Sequence, residues 1–334
     1  MSTIADVAAR AGVSKATASR ALSGRGYVSE DTRSRVELAA RSLSYIAHSS
    51  ATSLATGRTR TVGVVVPSVG RWFFAEVLAG AQEALLEHGY DLALFSVPEQ
   101  SDARSKVFED VLPGRRYDGL VAVGIQPEAH EMDQLTRLER PVVCVGPLTD
   151  RVGAVSIDDG AAAAIATEHL IDLGHTEIVF VGGAEDIVGL SYSDARRLEG
   201  YRAAMEGAGL GSHARVVPAH GSMPSGYEAA VDLLGNRRTR PTAVVGVCDE
   251  VAIGTIIAAR RLGIAVPTEL SVVGIDDHQH AEMFALTTIR QQPREQGRQA
   301  VRMLMRQLDD PDAAREHVLA ASALVVRNTS AAPR

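Results

Sequence analysis

The segment TIADVAARAGVSKATASRAL, residues 3–22, predicts two short helices joined by a tight turn. Apolar side chains recur at helical spacing in its first part, and Gly12 follows them where a helix can end in a left-handed residue. Val13 then fills the turn, and Ser14 is placed to cap a second helix that runs to about Leu22. This spacing is typical of a helix-turn-helix, whose second helix enters the major groove of DNA.

A third helix is predicted from about Glu30 to Leu43, because Ser29 can cap its start and apolar residues again recur at helical spacing. The three helices would close a small core. The alternative interpretation is a three-helix bundle whose polar second helix is merely exposed, and the turn, the charge and the terminal position favour DNA binding over it.

Charge is divided unevenly along the chain. The whole chain carries −7, yet residues 1–60 hold nine Arg or Lys against four Asp or Glu, so this segment is +5 and the remainder −12. A basic headpiece on an acidic body suits contact with phosphates at one end only.

The start of the second predicted helix carries side chains suited to DNA contact. Lys15 and Arg20 could donate to guanine edges, and the Ala16 methyl group could contact thymine. Hydroxyl groups and free backbone amides suit phosphates. The predicted DNA contacts of this headpiece are Thr3, Ser14, Lys15, Ala16, Thr17, Ser19 and Arg20.

From Thr61 onward, short apolar runs such as TVGVVV, EIVFV and LSVVGI alternate with amphipathic helices. This pattern predicts an α/β body of parallel sheets covered by helices. Two stretches also resemble each other: GAQEALLEHG (80–89) and GYRAAMEGAG (200–209) share Gly at the start, Ala at +4 and Gly at +9. Two doubly wound domains in tandem would produce this repeat, although so few positions can also coincide by chance.

Polar and aromatic side chains follow several predicted strands, where ligands bind in parallel sheets. Carboxylates accept from sugar hydroxyls, arginine donates to them and rings cover C–H faces, so this set predicts a cleft for a neutral polyhydroxylated ligand. The candidates are Trp72, Phe73, Phe74, Ser191, Ser193, Arg197, Asp249, Asp276 and Asp277. Each could instead pack or cap a helix, and for Asp249 the sequence favours a cap of the helix beginning EVAIG.

Motifs for catalysis, metal binding or redox chemistry are weak. The chain has no GxSxG elbow and no GxxxxGK[ST] phosphate loop, and GAGLG follows a predicted helix instead of a strand. DDHQH (276–280) lacks a third metal ligand at a supporting spacing, so His278 and His280 are interpreted as loop residues. Cys144 and Cys248 stand alone. We therefore expect no enzyme activity, no metal and no cofactor.

The N-terminus lacks a charged leader followed by an apolar core, and no apolar run is long enough to span a membrane. The expectation is a cytoplasmic protein without a membrane partner.

The order of these segments, with VSEDTRSRV, RRLEGYRAAM, VPTELSVVGIDD and LTTIRQQPREQGRQAVRML, resembles the lactose-repressor (LacI/GalR) family of bacterial transcription regulators, essentially end to end. The resemblance implies an all-α helix-turn-helix headpiece and a periplasmic-binding-protein-like body of two doubly wound subdomains. It further implies a homodimer on a palindromic operator, repression as the usual outcome, and a small-molecule effector between the subdomains. Carbohydrate is the first effector class, with a purine or phosphorylated metabolite behind it.

The resemblance also implies the domain boundaries. The headpiece would be 1–47, the hinge helix and linker 48–60, and the effector-binding and dimerisation domain 61–334. Within the last, the N-subdomain would span about 61–159 and 291–322, and the C-subdomain about 160–290 and 323–334. The alternative is that the chain is a solute-binding or carbohydrate-processing protein with the same body. The predicted helix-turn-helix argues against this alternative.

Four site residues match the family pattern. Arg197 in RLEG and Asp276 in GIDD match its effector-contacting arginine and aspartate, and Phe73 and Phe74 match an aromatic wall. Two pairs depart from it. Cys248-Asp249 stands where the family usually has Asn-Asp, and Arg71-Trp72 where it usually has Asn-Pro, so a more aromatic and more positive pocket is expected.

The stretch SSATSLATG, residues 49–57, has the composition of a flexible linker. The resemblance implies instead a hinge helix that forms when two copies pair on DNA, with Leu54 as an apolar wedge inserted from the minor groove. The family often has Pro-Asn ahead of this hinge and Arg two residues before the leucine. Ala47-His48 and Thr52 stand there in this chain, so weaker phosphate anchoring is expected.

Overall fold

The structure is a computed structural model that describes residues 2–23, 26–45, 57–97, 102–114, 116–125, 127–137, 140–146, 151–183 and 192–334. The chain divides into two units, Met1–Thr61 and Val62–Arg334. No helix in the described ranges is long and apolar enough to cross a membrane.

The N-terminal unit holds the predicted helix-turn-helix. Its helices are α1 (Ile4–Ala11), α2 (Lys15–Ser23) and α3 (Glu30–Ser42). Gly12 ends α1 with φ 66°, and the Ser14 hydroxyl accepts from the Thr17 amide at 3.1 Å at the start of α2. Small buried side chains, among them Val7 and Val36, form the core between the helices. The turn and both predicted caps of this segment are thus confirmed.

The second unit contains two six-stranded sheets. Its α-helices are α4 (Trp72–Glu87), α5 (Asp102–Lys106), α6 (Ala129–Arg137), α7 (Asp159–Asp172), α8 (Tyr192–Gly207), α9 (Met223–Gly235), α10 (Asp249–Arg261) and α11 (Pro293–Asp309), and short π and 3-10 helices lie at Val107–Val111 and Gly211–His213. The strands are β1 (Thr61–Val66), β2 (Asp91–Ser96), β3 (Gly119–Val123), β4 (Val142–Val145), β5 (Gly153–Ser156), β6 (Ile178–Val181), β7 (Arg215–Val217), β8 (Ala243–Gly246), β9 (Ser271–Asp276), β10 (Thr287–Arg290), β11 (His317–Leu319) and β12 (Ala323–Val325).

The two sheets have the same winding. Their strand orders are β11-β5-β4-β3-β1-β2 and β12-β10-β9-β8-β6-β7. Neighbouring central strands run parallel, and β12 runs antiparallel to β10. We call the part built on the first sheet the N-subdomain and the part built on the second sheet the C-subdomain. The predicted fold class, a helical headpiece followed along the chain by a doubly wound α/β body, is confirmed.

The chain passes between the subdomains three times. After β5 it enters α7, which packs on strands of the second sheet, and after β10 it enters α11, which packs on strands of the first. The last passage leads from β11 to β12, so that each sheet receives one edge strand from the end of the chain.

The sequence repeat has a structural cause. Gly80 lies on α4, which follows β1, and Gly200 lies on α8, which follows β6 at the corresponding place in the second sheet. A Cβ atom at Gly80 would come within 1.8 Å of the Arg294 carbonyl oxygen on α11, and one at Gly200 within 2.0 Å of the Gly160 carbonyl oxygen on α7. Both glycines permit a close helix crossing.

Candidate functional site

A pocket lies between the two subdomains, and it encloses about 480 Å³ when space open to solvent is included. It is lined from both sides by residues at or beyond the carboxyl ends of strands, as expected for parallel sheets. The N-subdomain contributes Arg71, Phe73, Phe74, Gly124 and Gly146, and the C-subdomain contributes Tyr192, Ser193, Asp194, Arg197 and Asp276.

Arg197 is the centre of a buried charge cluster. Its Nε donates to Asp159 at 2.8 Å and its Nη1 to the Val247 carbonyl at 2.7 Å, while Nη2 lies 3.6 Å from Asp276. Its side chain is only 7% exposed. Burial alone would lower the pKa of Arg197, but the charges of Asp159 and Asp276 outweigh it and hold that pKa above its ordinary value.

Asp276 ends β9 and faces the pocket. Its Oδ1 accepts from the Gln291 amide at 2.6 Å, and Gln291 in turn accepts from Gln296 on α11 at 2.9 Å. Burial raises the pKa of Asp276, although Arg197 opposes the shift. The backbone φ angle of Asp276 is 135°, which residues other than glycine rarely adopt. Residues held in such backbone conformations cluster at functional sites.

The aromatic candidates separate into two groups. Phe73 and Phe74 pack edge to face at a centroid distance of 5.5 Å, with Phe74 buried and Phe73 half-buried at the pocket. Trp72 does not line the pocket. Its ring stacks on His278 of the C-subdomain with centroids 4.8 Å apart, and its Nε1 has no hydrogen-bond partner in the described part of the chain.

The expectation that Asp249 caps α10 is wrong. Cys248 is the cap residue, Asp249 is the first helical residue, and its carboxylate turns away to accept from the His278 amide at 2.7 Å and the Thr288 hydroxyl at 2.6 Å. Burial, together with the charge of Asp276, raises the pKa of Asp249 to about 8. Asp249 also lies outside the pocket lining, and both its oxygens are bound inside the C-subdomain.

The remaining candidates of the DDHQH stretch are structural. Asp277 binds Arg290 at 2.6 Å and Arg327 at 2.7 Å and so ties β9 to the end of the chain. His278 is buried, and burial lowers its pKa to about 4, so it is neutral near pH 7. The described residues contain no group of three His, Cys, Asp or Glu side chains arranged to hold a metal.

Sequence reasoning missed several lining residues. Tyr192 and Asp194 flank Ser193 at the start of α8, and the polar run SYSD before a helix was the available signal. In the sequence, Arg71 stands out only as a departure from the family pattern, which usually has Asn at this place. Burial acts to lower the pKa of Arg71, yet the nearby Cys248 thiol, Asp194 and Glu250 raise it above the ordinary value. Ser191 lies outside the described residues.

Four of the headpiece candidates lie on the exposed side of α2. Lys15, Ala16, Ser19 and Arg20 are exposed, whereas Ala18 on the opposite side is buried in the core. Thr17 is half-buried, and its amide is bound by the exposed Ser14. Thr3 forms a reciprocal capping box with Asp6, so its hydroxyl stabilises α1. Leu54 and most of the hinge stretch lie outside the described residues.

Comparisons with known proteins match both units. The family described as bacterial regulatory proteins, lacI family, matches residues 3–48, and the periplasmic binding protein-like domain matches residues 167–330. The transcriptional regulator DegA of Bacillus subtilis is 32% identical over 98% of both chains. The lac repressor dimer bound to operator and the anti-inducer ONPF covers 99% of both chains with a TM-score of 0.86 at 26% identity. A complex of the regulator CelR with cellobiose covers 98% of this chain and 100% of that one, with a TM-score of 0.72 at 27% identity.

Proposed function

Since this chain belongs to the LacI family of bacterial regulatory proteins, we propose that a small molecule bound between its two subdomains controls its affinity for DNA. The chain is a DNA-binding transcriptional regulator of the repressor type. The observation that carries the proposed control is the pocket itself, because the N-subdomain contributes Arg71 and aromatic rings to it and the C-subdomain contributes polar side chains. A ligand that contacts both would favour one arrangement of the subdomains over others.

A neutral sugar is the proposed effector class. Asp276 and Ser193 offer hydrogen bonds to hydroxyl groups, and the half-buried Phe73 offers a ring for a C–H face. Acidic groups outnumber basic ones around the pocket, since Asp159 and Glu250 stand behind the lining and both arginines already face carboxylates. This charge disfavours a phosphorylated metabolite. The relative CelR, which was solved with cellobiose, supports the class.

The headpiece is proposed to read bases through α2. Lys15, Ala16 and Arg20 would contact base edges, while Ser14, Thr17, Ser19 and Thr3 would contact phosphates near the helix starts. We propose that the protein acts in the cytoplasm as a homodimer on a palindromic operator. Hinge residues 48–60, with Leu54 as the minor-groove wedge, belong to the same proposal, as do the subdomain boundaries near 160, 291 and 323.

The test is a genomic binding selection with the purified full-length chain at low salt, with and without a panel of neutral sugars. We expect one palindromic site to be enriched and one sugar to change its recovery. A chain that binds a sugar tightly and enriches no DNA would instead support the rival function of solute binding. Enrichment that no sugar alters would contradict control by a neutral sugar.

A further inference from the structure

Arg71 reaches from the N-subdomain across the cleft into the C-subdomain. It is the residue before α4, and its guanidinium lies 5.4 Å from the centre of the Phe74 ring in its own subdomain. On the far side, its Nε lies 3.6 Å from Glu250 and its Nη2 lies 3.8 Å from the sulfur of Cys248. These partners stand at the start of α10, so the side chain connects the two subdomains directly.

The C-subdomain has a notch that admits this guanidinium. A Cβ atom at Gly221 would come within 2.2 Å of Arg71 Nη2 and 2.5 Å of its Cζ. The backbone of Gly221 does not have a left-handed φ, so its conformation does not require glycine. The glycine matters because a side chain at this position would occupy the space that Arg71 fills. The notch formed by Gly221, Cys248 and Glu250 therefore fits an arginine from the opposite subdomain.

The next residue makes a second contact across the same cleft. Trp72 stacks on His278, which follows β9 of the C-subdomain, and His278 stacks on His280 with centroids 4.9 Å apart. The planes of the Trp72 and His278 rings are tilted by 46°, and the large indole ring buries apolar area against the C-subdomain. Residues 71 and 72 thus hold two separate elements of the C-subdomain.

The contacts are suited to opening as well as to closing. Arg71 and Glu250 are 27% and 14% exposed, and Arg71 Nε has no hydrogen-bond partner among the described residues, because the carboxylate stands beyond hydrogen-bond distance. An ion pair of this kind is weaker than a bidentate one. The contact therefore favours the closed arrangement of the subdomains but is weak enough to let them separate.

We propose that Arg71 and Trp72 form a clasp that holds the subdomains together without a ligand. Because Arg71 also lines the pocket, the clasp restricts a ligand to the remaining space beside Phe73, Ser193 and Asp276. Removing the guanidinium would both loosen the closure and enlarge the pocket. The proposal concerns closure alone, so it does not depend on DNA binding or on the effector class.

The chain contains its own probe of closure. Cys248 is 1% exposed in the notch, and Cys144 is fully buried in β4 within the core of the N-subdomain. Burial raises the pKa of both thiols to about 12, so each reacts slowly until it is exposed. If the clasp covers Cys248, opening of the cleft withdraws Arg71 from this thiol and exposes it before Cys144, whereas global unfolding exposes both.

The experiment measures the rate of iodoacetamide labelling at each cysteine by mass spectrometry, on the full chain without added sugar. Arg71→Met removes the guanidinium, Trp72→Leu removes the stack without touching Cys248, and Gly221→Val fills the notch from the other side. We expect each to speed Cys248 labelling roughly tenfold with Cys144 unchanged, since the rate follows the population of the open form. Arg306→Met, which breaks an exposed pair with Glu316, is the matched control and should match the parent.

Two results would overturn the clasp. In the first, all three variants label Cys248 at the parental rate. In the second, only Arg71→Met speeds labelling, which would show local uncovering of the thiol with the subdomains still closed. Because the three variants change three different residues of the contact, failure of one to fold leaves the other two as the test.

Discussion

Replacement of Arg197 by Met tests the buried charge cluster at the pocket. Methionine retains much of the side-chain volume, but it leaves Asp159 and Asp276 without the cation that each faces. All three side chains are at most 7% exposed, so water cannot take over the role of the guanidinium. Removing one partner of a buried ion pair costs about 3 to 5 kcal/mol of folding free energy. With a urea dependence of about 3 kcal/mol per molar, the unfolding midpoint should fall by roughly 1 to 1.7 M.

The loss should also depend on pH. Burial already raises the pKa of Asp276 in the folded parent, and Arg197 opposes that shift. In the variant the opposing charge is gone, so the folded pKa rises further above that of the unfolded chain. The folded variant then holds a proton that the unfolded chain releases, so the contribution of Asp276 to stability is fully present below the unfolded-state pKa and is lost as the pH rises through the folded pKa. The difference in unfolding free energy between Arg197→Met and the parent should reach its full value at pH 8 and be smaller at pH 5.

The assay is urea unfolding of both proteins followed by far-ultraviolet circular dichroism at pH 8 and pH 5. Arg306→Met is the control, since its pair with Glu316 is about half exposed and should contribute under about 1 kcal/mol. A midpoint for Arg197→Met within 0.3 M of the control, roughly the effect of an exposed pair, would refute the cluster as a source of stability.

Three further predictions concern reading, response and packing. Arg20→Ala should lose about 1 to 3 kcal/mol at one base position in a quantitative binding selection, whereas an equal loss on all sequences would assign Arg20 to a phosphate. Asp276→Ala should weaken the response to a sugar effector while operator affinity stays near parental, and equal calorimetric sugar affinity of variant and parent would contradict its contact with the ligand. Gly200→Ala should destabilise the chain by about 1 to 3 kcal/mol in urea unfolding, because its methyl group would meet the Gly160 carbonyl. Gly207→Ala at the end of the same helix has open space and should be neutral or stabilising, so equal effects of the two would disprove the crossing argument.

The elements that the sequence predicted correctly depend on neighbours in the chain. Gly12 ends α1 and Ser14 starts α2 because a left-handed residue and a capping hydroxyl act within a few residues of their own position. The α/β body was equally accessible, since alternating apolar runs and amphipathic helices are local patterns. The repeated Gly80 and Gly200 added the tandem arrangement.

The site was harder to predict because its partners are distant in sequence. Asp249 has the position of a helix cap, but its side chain turns to the His278 amide and the Thr288 hydroxyl, which belong to later loops. Arg71 has the position of an exposed loop residue, and only the fold brings it to Glu250. The residues of one segment cannot show whether a polar side chain binds its own helix or a group that is distant in sequence.

The three passages of the chain between the sheets affect how the protein is made. The N-subdomain lacks α11 and its edge strand β11 until residue 319 has been synthesised, and the C-subdomain waits for β12. Neither subdomain can therefore be completed on the ribosome before residue 319 has emerged, whereas α1, α2 and α3 are complete after residue 42. A chain stopped at residue 310 would contain all three headpiece helices but neither β11 nor β12, so both sheets would be incomplete.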